Sequence, residues 1–195
     1  MIEILNLQKS FNHQLIINIS HYKFHTGNNY LLVGENGSGK STLIKLILGF
    51  IKPSKGNILY SDVKFSYAPE KTIYPDFITT KEFLKNILLI RNDSIEKIDD
   101  YLTNWHLDPN KKISHLSKGM KQKLNIIQAL ITQADIYLFD EPLNGLDKAS
   151  QNLFLDSLNP LHNKMVIVAT HYPEIYQTNF QTILAIKGNK LYETP

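Results

Sequence analysis

Gly34-Glu35-Asn36-Gly37-Ser38-Gly39-Lys40-Ser41-Thr42 decides the reading of this chain: a glycine, four residues, then Gly-Lys-Ser. Glycines at these places let the backbone curl so that successive N–H groups converge on a phosphate at the start of a helix. Lys40 brings a compact positive charge to the outer phosphates, and the Ser41 hydroxyl is placed to meet a divalent cation. The context agrees with the pattern. Tyr30-Leu31-Leu32-Val33 is a continuous apolar run, as expected of a strand buried on both faces. Leu43, Ile44, Leu46, Ile47 and Leu48 then recur at helical spacing.

Working outward, Ile2 to Leu7 alternates as a strand, and Leu15 to Ile19 is a second apolar stretch before a turn at Thr26-Gly27-Asn28-Asn29. Pro53 and Gly56 punctuate the exit from the first helix, and Val63, Phe65 and Tyr67 alternate again. From Thr79 to about Trp105 the pattern is helical. Phe83, Ile87 and Leu88 share one face; Ile95, Ile98 and Leu102 form another, with Asp93 or Ser94 expected to cap the second helix. An amphipathic helix follows from Ser117 to about Thr132. Then come a strand at Ile136–Phe139, a helix starting near Asp147, a strand at Met165–Ala169 and a final strand at Thr182–Ile186. Strands alternating with helices at both ends predict an α/β fold with a mostly parallel sheet. The helical middle reads as an insertion.

Composition sets the class. The chain has 195 residues, 43% hydrophobic and 20% charged, within the range of one folded domain. The best apolar stretch, Leu43 to Ile51, contains Lys45 and stops at Lys52, far short of the ~18 residues of a membrane span. The start, Met1-Ile2-Glu3-Ile4-Leu5, lacks the basic region of a secretory signal. Without cysteine there is no disulfide framework or thiolate metal site, and a reducing compartment fits. Twenty-one basic against 18 acidic residues give a net charge of +3, scattered and almost wholly lysine, so nucleic acid is not an expected partner.

Three further stretches carry chemistry. Ile136-Tyr137-Leu138-Phe139 ends in Asp140-Glu141; alternation along a strand would send one carboxylate to a metal shell and the next to an attacking water. Leu116-Ser117-Lys118-Gly119-Met120 opens the amphipathic helix, with Ser117 as its N-cap or as part of a phosphate receptor. His171 follows the strand ending at Ala169, at the edge where open parallel sheets place ligands.

Together these motifs resemble the ATP-binding subunit of ABC transporters, across essentially the whole chain. Gly34 to Thr42 resembles the Walker A loop, Leu116 to Met120 the signature, Asp140 and Glu141 the end of the Walker B strand, Pro142 to Asp147 the D-loop, and His171 the switch histidine. Phe11, 23 residues before Gly34, stands where the family places an adenine-stacking aromatic. The resemblance implies a phosphate-loop core over about 1–70 and 133–195, a small antiparallel β region, and a helical subdomain over about 71–132. It implies ATP hydrolysis with Mg²⁺, in a homodimer or heterodimer of such subunits. There Ser117, Lys118, Gly119 and Met120 of one copy close on the ATP held by the other. Asp140, Ser41 and Glu70 would serve the metal, Glu141 the water, His171 the γ-phosphate, and Asp147 the contact between sites.

The resemblance further implies a membrane-spanning partner on a separate chain, and a cytoplasmic place at the inner face of the membrane. Departures are specific. Glu70 stands where the family usually has glutamine, the signature reads Ser-Lys-Gly-Met, and Lys40 to Leu116 spans only 76 positions. The Lys-Gly-Met form resembles bacterial exporters of drugs, peptides or antimicrobials. The alternative is a soluble ABC ATPase outside transport, whose translation and repair types carry second cassettes, coiled-coil arms or zinc insertions. The last expected strand ends close to residue 195, so no regulatory C-terminal domain is expected.

Overall fold

The computed structural model describes residues 1–176 and 180–194. In chain order the elements are β1 (Ile2–Phe11), β2 (Gln14–Phe24), β3 (Asn29–Val33), α1 (Lys40–Ile47), β4 (Lys55–Tyr60), β5 (Phe65–Ala68) and α2 (Thr80–Arg91). They continue with α3 (Ile98–Asn104), α4 (Lys118–Leu130), β6 (Ile136–Asp140), α5 (Lys148–Leu158), β7 (Met165–Thr170), β8 (Thr182–Lys187) and β9 (Lys190–Thr194).

Six strands form a sheet in the order β5-β6-β7-β3-β8-β9, parallel except for β9, which returns antiparallel on β8. A second sheet, β2-β1-β4, is antiparallel throughout. The apolar runs of β3, β6 and β7 face cover on both sides, and period two divides their residues between two cores. Tyr30 and Leu32 pack with α1 and the small sheet, together with Ile4, Ile17, Leu43 and Ile44. Leu31 packs with Tyr137, Phe139, Val168 and the helical middle, where Leu84, Leu102 and Leu124 are buried around Trp105.

The α/β fold, its mostly parallel sheet and the separate antiparallel region agree with the sequence reading. Several boundaries do not. Gly56 is not punctuation but lies inside β4, at φ 77°, where any Cβ would run into the Asn6 carbonyl. The β1–β4 register slips between Leu5 and Gln8, so this is a bulge that only glycine fits. The last strand is β9, not Thr182–Ile186. Neither Asp93 nor Ser94 caps the second middle helix: α3 begins after Lys97, without a side-chain cap, and Ile95 is exposed ahead of it. The strong cap belongs to α2, where Thr79 and Glu82 form a reciprocal capping box.

Candidate active site

β3 lies between β7 and β8, and its C-terminal end delivers the glycine loop to α1. Gly37 and Gly39 adopt φ 81° and 108°, and a Cβ on Gly39 would stand 2.8 Å from Ile17 Cδ1. The loop is therefore pressed against β2, and Gly39 cannot be replaced without strain. The first turn of α1 has no acidic residue and no side-chain cap, which leaves its N–H groups and positive dipole end to an anion. Lys40, 6% exposed, curls back so that Nζ donates to the carbonyls of Gly34 (2.7 Å) and Glu35 (3.2 Å).

Above this loop is a cavity of about 470 Å³, lined by Phe11, Ile16, Asn36, Gly37, Gly39, Lys40, Ser41, Thr42, Glu70, Glu141, Asn144 and His171. Its size suits a nucleotide. Phe11 is half-exposed at the rim, with Lys9 Nζ 4.7 Å from its ring centroid. Glu70 reaches the cavity from the segment after β5.

Asp140 ends β6 and is 2% exposed. Burial pushes its carboxyl above the usual carboxylate range, as do Glu141 and Glu70 nearby; the Ser41 hydroxyl and Lys40 pull it down. Its Oδ1 is buried without a hydrogen-bond partner among the described residues. Asp140 and Glu141 do diverge, but not by strand alternation. Glu141 takes φ 51°, in the left-handed region, and its N–H donates to the Ala169 carbonyl (2.9 Å). A non-glycine residue held there is under strain. Its Oε1 lies 3.7 Å from Lys40 Nζ and 2.8 Å from His171 Nδ1. The second contact is out of line for a hydrogen bond, so both atoms lack a partner among the described residues. Nothing in the sequence pattern announces this turn.

The loop residues, Phe11, Glu70, Glu141 and His171 thus meet at one cavity, with Asp140 beside it. The signature does not join them. Ser117 Oγ accepts from the Met120 N–H (3.3 Å) as the N-cap of α4, and a Cβ on Gly119 would stand 2.9 Å from the Gly145 carbonyl. Lys118 runs its stem along Gly145. Asp147 caps α5, its Oδ1 accepting from Ser150 N–H at 2.8 Å, and Ser150's hydroxyl and amide hold its carboxyl below the usual range. Sequence reading missed Ile16 at the cavity, and Asn144, which lay inside the quoted Pro142–Asp147 stretch without being singled out. It also missed Asn125, a buried amide within an otherwise apolar helix face.

An anion cradle at a free helix start, a buried lysine and two buried carboxylates at the end of β6, one strand removed from β3, define a nucleoside triphosphatase. The sequence profile of the ABC transporter family matches residues 17–144. The chain is 34% identical to the zinc import ATP-binding protein ZnuC of Rickettsia conorii, over 97% of this chain and 84% of that protein. It is 32% identical to the uncharacterized ABC transporter ATP-binding protein YybJ of Bacillus subtilis, over 89% and 87%. A solved structure of the ATP-binding subunit of an ABC transporter superposes with a TM-score of 0.92, over 100% of this chain and 89% of that one, at 23% identity. The chain belongs to the ABC transporter family as an ATP-binding subunit, and it is an ATPase. Among the described residues, no helix is long and apolar enough to cross a membrane.

Proposed function

We propose that this ATPase works as one of a pair of such subunits, at the cytoplasmic face of a membrane, driving a membrane-spanning partner on a separate chain. The observation that carries the reading is the meeting of Lys40, Glu141 and His171 at one cavity. ATP lies with its phosphates along Gly34–Thr42 and its adenine toward Phe11. Lys40 exchanges its two loop carbonyls for the β- and γ-phosphate oxygens. Glu141 orients a water and takes its proton as the water oxygen bonds to the γ-phosphorus. The bond to the bridging oxygen breaks, and ADP and phosphate leave. His171 stands beside the Glu141 carboxylate and meets the γ-phosphate.

The orphaned Asp140 oxygen beside the Ser41 hydroxyl suits Mg²⁺, with the Glu70 carboxylate nearby in the cavity lining. When bound, Mg²⁺ supplies neutralisation of the phosphate charge. Ser117, Lys118, Gly119 and Met120 stand away from the cavity of their own chain, which supports their serving the ATP of the second copy, with Asp147 near the seam. The segment over about 71–132 is then the arm that presents them, against a core of about 1–70 and 133–195.

For direction we infer export, on the Ser117-Lys118-Gly119-Met120 form of the signature. Import is the second reading, favoured by the printed name of the Rickettsia conorii relative. Cargo selection belongs to the membrane partner, which is why identity in this subunit leaves both open. Co-expression with a membrane protein that co-purifies with it, followed by ATP-driven transport in inside-out vesicles, tests both. Accumulation of drug or peptide supports export, and ATP-driven release of preloaded Zn²⁺ supports import. An ATPase that never co-purifies with a membrane protein returns the soluble alternative.

A further inference from the structure

Glu70 sits between two anchored residues. The Pro69 carbonyl accepts from Asn125 Nδ2 at 2.6 Å, and the Thr72 hydroxyl donates to Asn125 Oδ1 at 2.9 Å. A carbonyl can only accept, so the amide nitrogen must face Pro69 and its oxygen must face Thr72. Only Glu70 and Lys71 bridge the two anchors. Just upstream, Gln128 Nε2 donates to the Tyr67 carbonyl at 2.7 Å; just downstream, the Tyr74 hydroxyl donates to the Lys121 carbonyl at 3.0 Å. All of these tie the Glu70 segment to one helix, α4.

Asn125 is 2% exposed and neighbours Leu124, Ile126 and Ile127, themselves buried. An aliphatic residue would satisfy that helix face at less desolvation cost, so the amide is explained by the two bonds it makes. Ser117, which starts the same helix, lies eight residues away, about 12 Å along the axis.

We propose that Asn125 is a positioning residue: through Pro69 and Thr72 it fixes where the Glu70 carboxylate stands at the wall of the nucleotide cavity. This rests on the reading that Glu70 serves the metal of the bound nucleotide. An exposed acid on a free loop would sample many places; the bracket of anchors on both sides of Glu70 narrows the space its carboxylate can reach.

Asn125→Leu removes both bonds at similar volume, and Thr72→Val removes one from a half-buried site where folding is not at risk. Binding of Mn²⁺ with ATP, followed by electron paramagnetic resonance without turnover, should weaken roughly fivefold in Thr72→Val, the scale of one net hydrogen bond, and more in Asn125→Leu. The Mg²⁺ concentration for half-maximal hydrolysis should rise in parallel. Metal-free ATP binding should stay within about twofold of the parent, and Thr72→Ser should restore parental metal binding. In a Glu70→Ala background, Asn125→Leu should add nothing. If Glu70→Ala weakens metal binding while Asn125→Leu and Thr72→Val do not, the bracket is refuted. If both lower metal-free and metal-bound affinity alike, Asn125 is merely structural and the proposal falls. If Glu70→Ala itself leaves metal binding unchanged, the reading of Glu70 is at fault, and the proposal fails with it.

Discussion

The polar residues at the mouth of the phosphate loop and those at the starts of α4 and α5 are handled in opposite ways. Lys40, Asp140 and Glu141 are buried, and Asp140 and Glu141 each carry an oxygen without a hydrogen-bond partner among the described residues. Glu141 is held in a strained backbone conformation as well. Ser117 and Asp147 are instead helix caps, satisfied by the amides of Met120 and Ser150. The first region stores unmet demand that a charged ligand relieves. The second is content alone and acts only when something is brought to it. On the proposed pairing of two subunits, the first region would bind the nucleotide of its own chain and the second would serve that of the other copy.

The sharpest way to break this contrast is Lys40→Ala. The two Glu141 and Asp140 carboxylates then face the phosphates without the loop's cation, and hydrolysis should fall by ~10³ or more, with ATP binding severely weakened. Parental turnover in the purified variant would remove the loop from the mechanism. Next in size is Glu141→Gln, which keeps the shape but cannot take a proton. Turnover should drop about 10²–10⁴-fold while ATP binding persists, read by steady-state hydrolysis beside equilibrium binding. Normal turnover would pass the role to Asp140.

Asp140→Asn tests the stored demand directly. Hydrolysis should be lost, yet the ligand-free protein should melt about 2–4 °C higher, because a desolvated carboxylate has been removed. An unchanged or lower melting temperature would mean that Asp140 is at ease in the empty site. The smallest effect belongs to the second region. Asp147→Ala should lower the melting temperature by about 2–4 °C at pH 7 through the lost cap. Because the folded protein holds this carboxyl below its ordinary value, its stabilising contribution is present above that value and fades as pH falls through the folded one. The gap between variant and parent should therefore close below about pH 4. A gap that is the same at both pH values would show the cap to be uncharged.

The same contrast explains what could be read in advance. Burial writes itself into sequence: Tyr30–Val33, Ile136–Phe139 and Met165–Ala169 are apolar because both faces are covered, and the sheet followed from them. β4 escaped because most of its residues are exposed and its glycine marks a bulge, which in sequence looks like a break. β9 is an exposed edge strand and escaped for the same reason. Among the site residues, those in the glycine loop were legible because the backbone geometry demands their types. The left-handed turn at Glu141 and the two-sided amide of Asn125 were not, since each depends on a carbonyl or hydroxyl brought from a distant segment.

The placing of β3 between β7 and β8 has a consequence for how the protein is made. Residues 29–33 leave the ribosome well before both strands that flank them, Met165–Thr170 and Thr182–Lys187. At about 5–20 residues per second, the phosphate loop waits on the order of ten seconds for the neighbours that hold its strand in line. During that interval Tyr30, Leu31 and Leu32 have no sheet to enter, and both backbone edges of β3 are unpaired. Nascent chains halted before Met165 should bind no ATP and should be the species that chaperones hold, whereas the β1–β2 hairpin, closed by Asn12 and His13, can form as soon as it emerges.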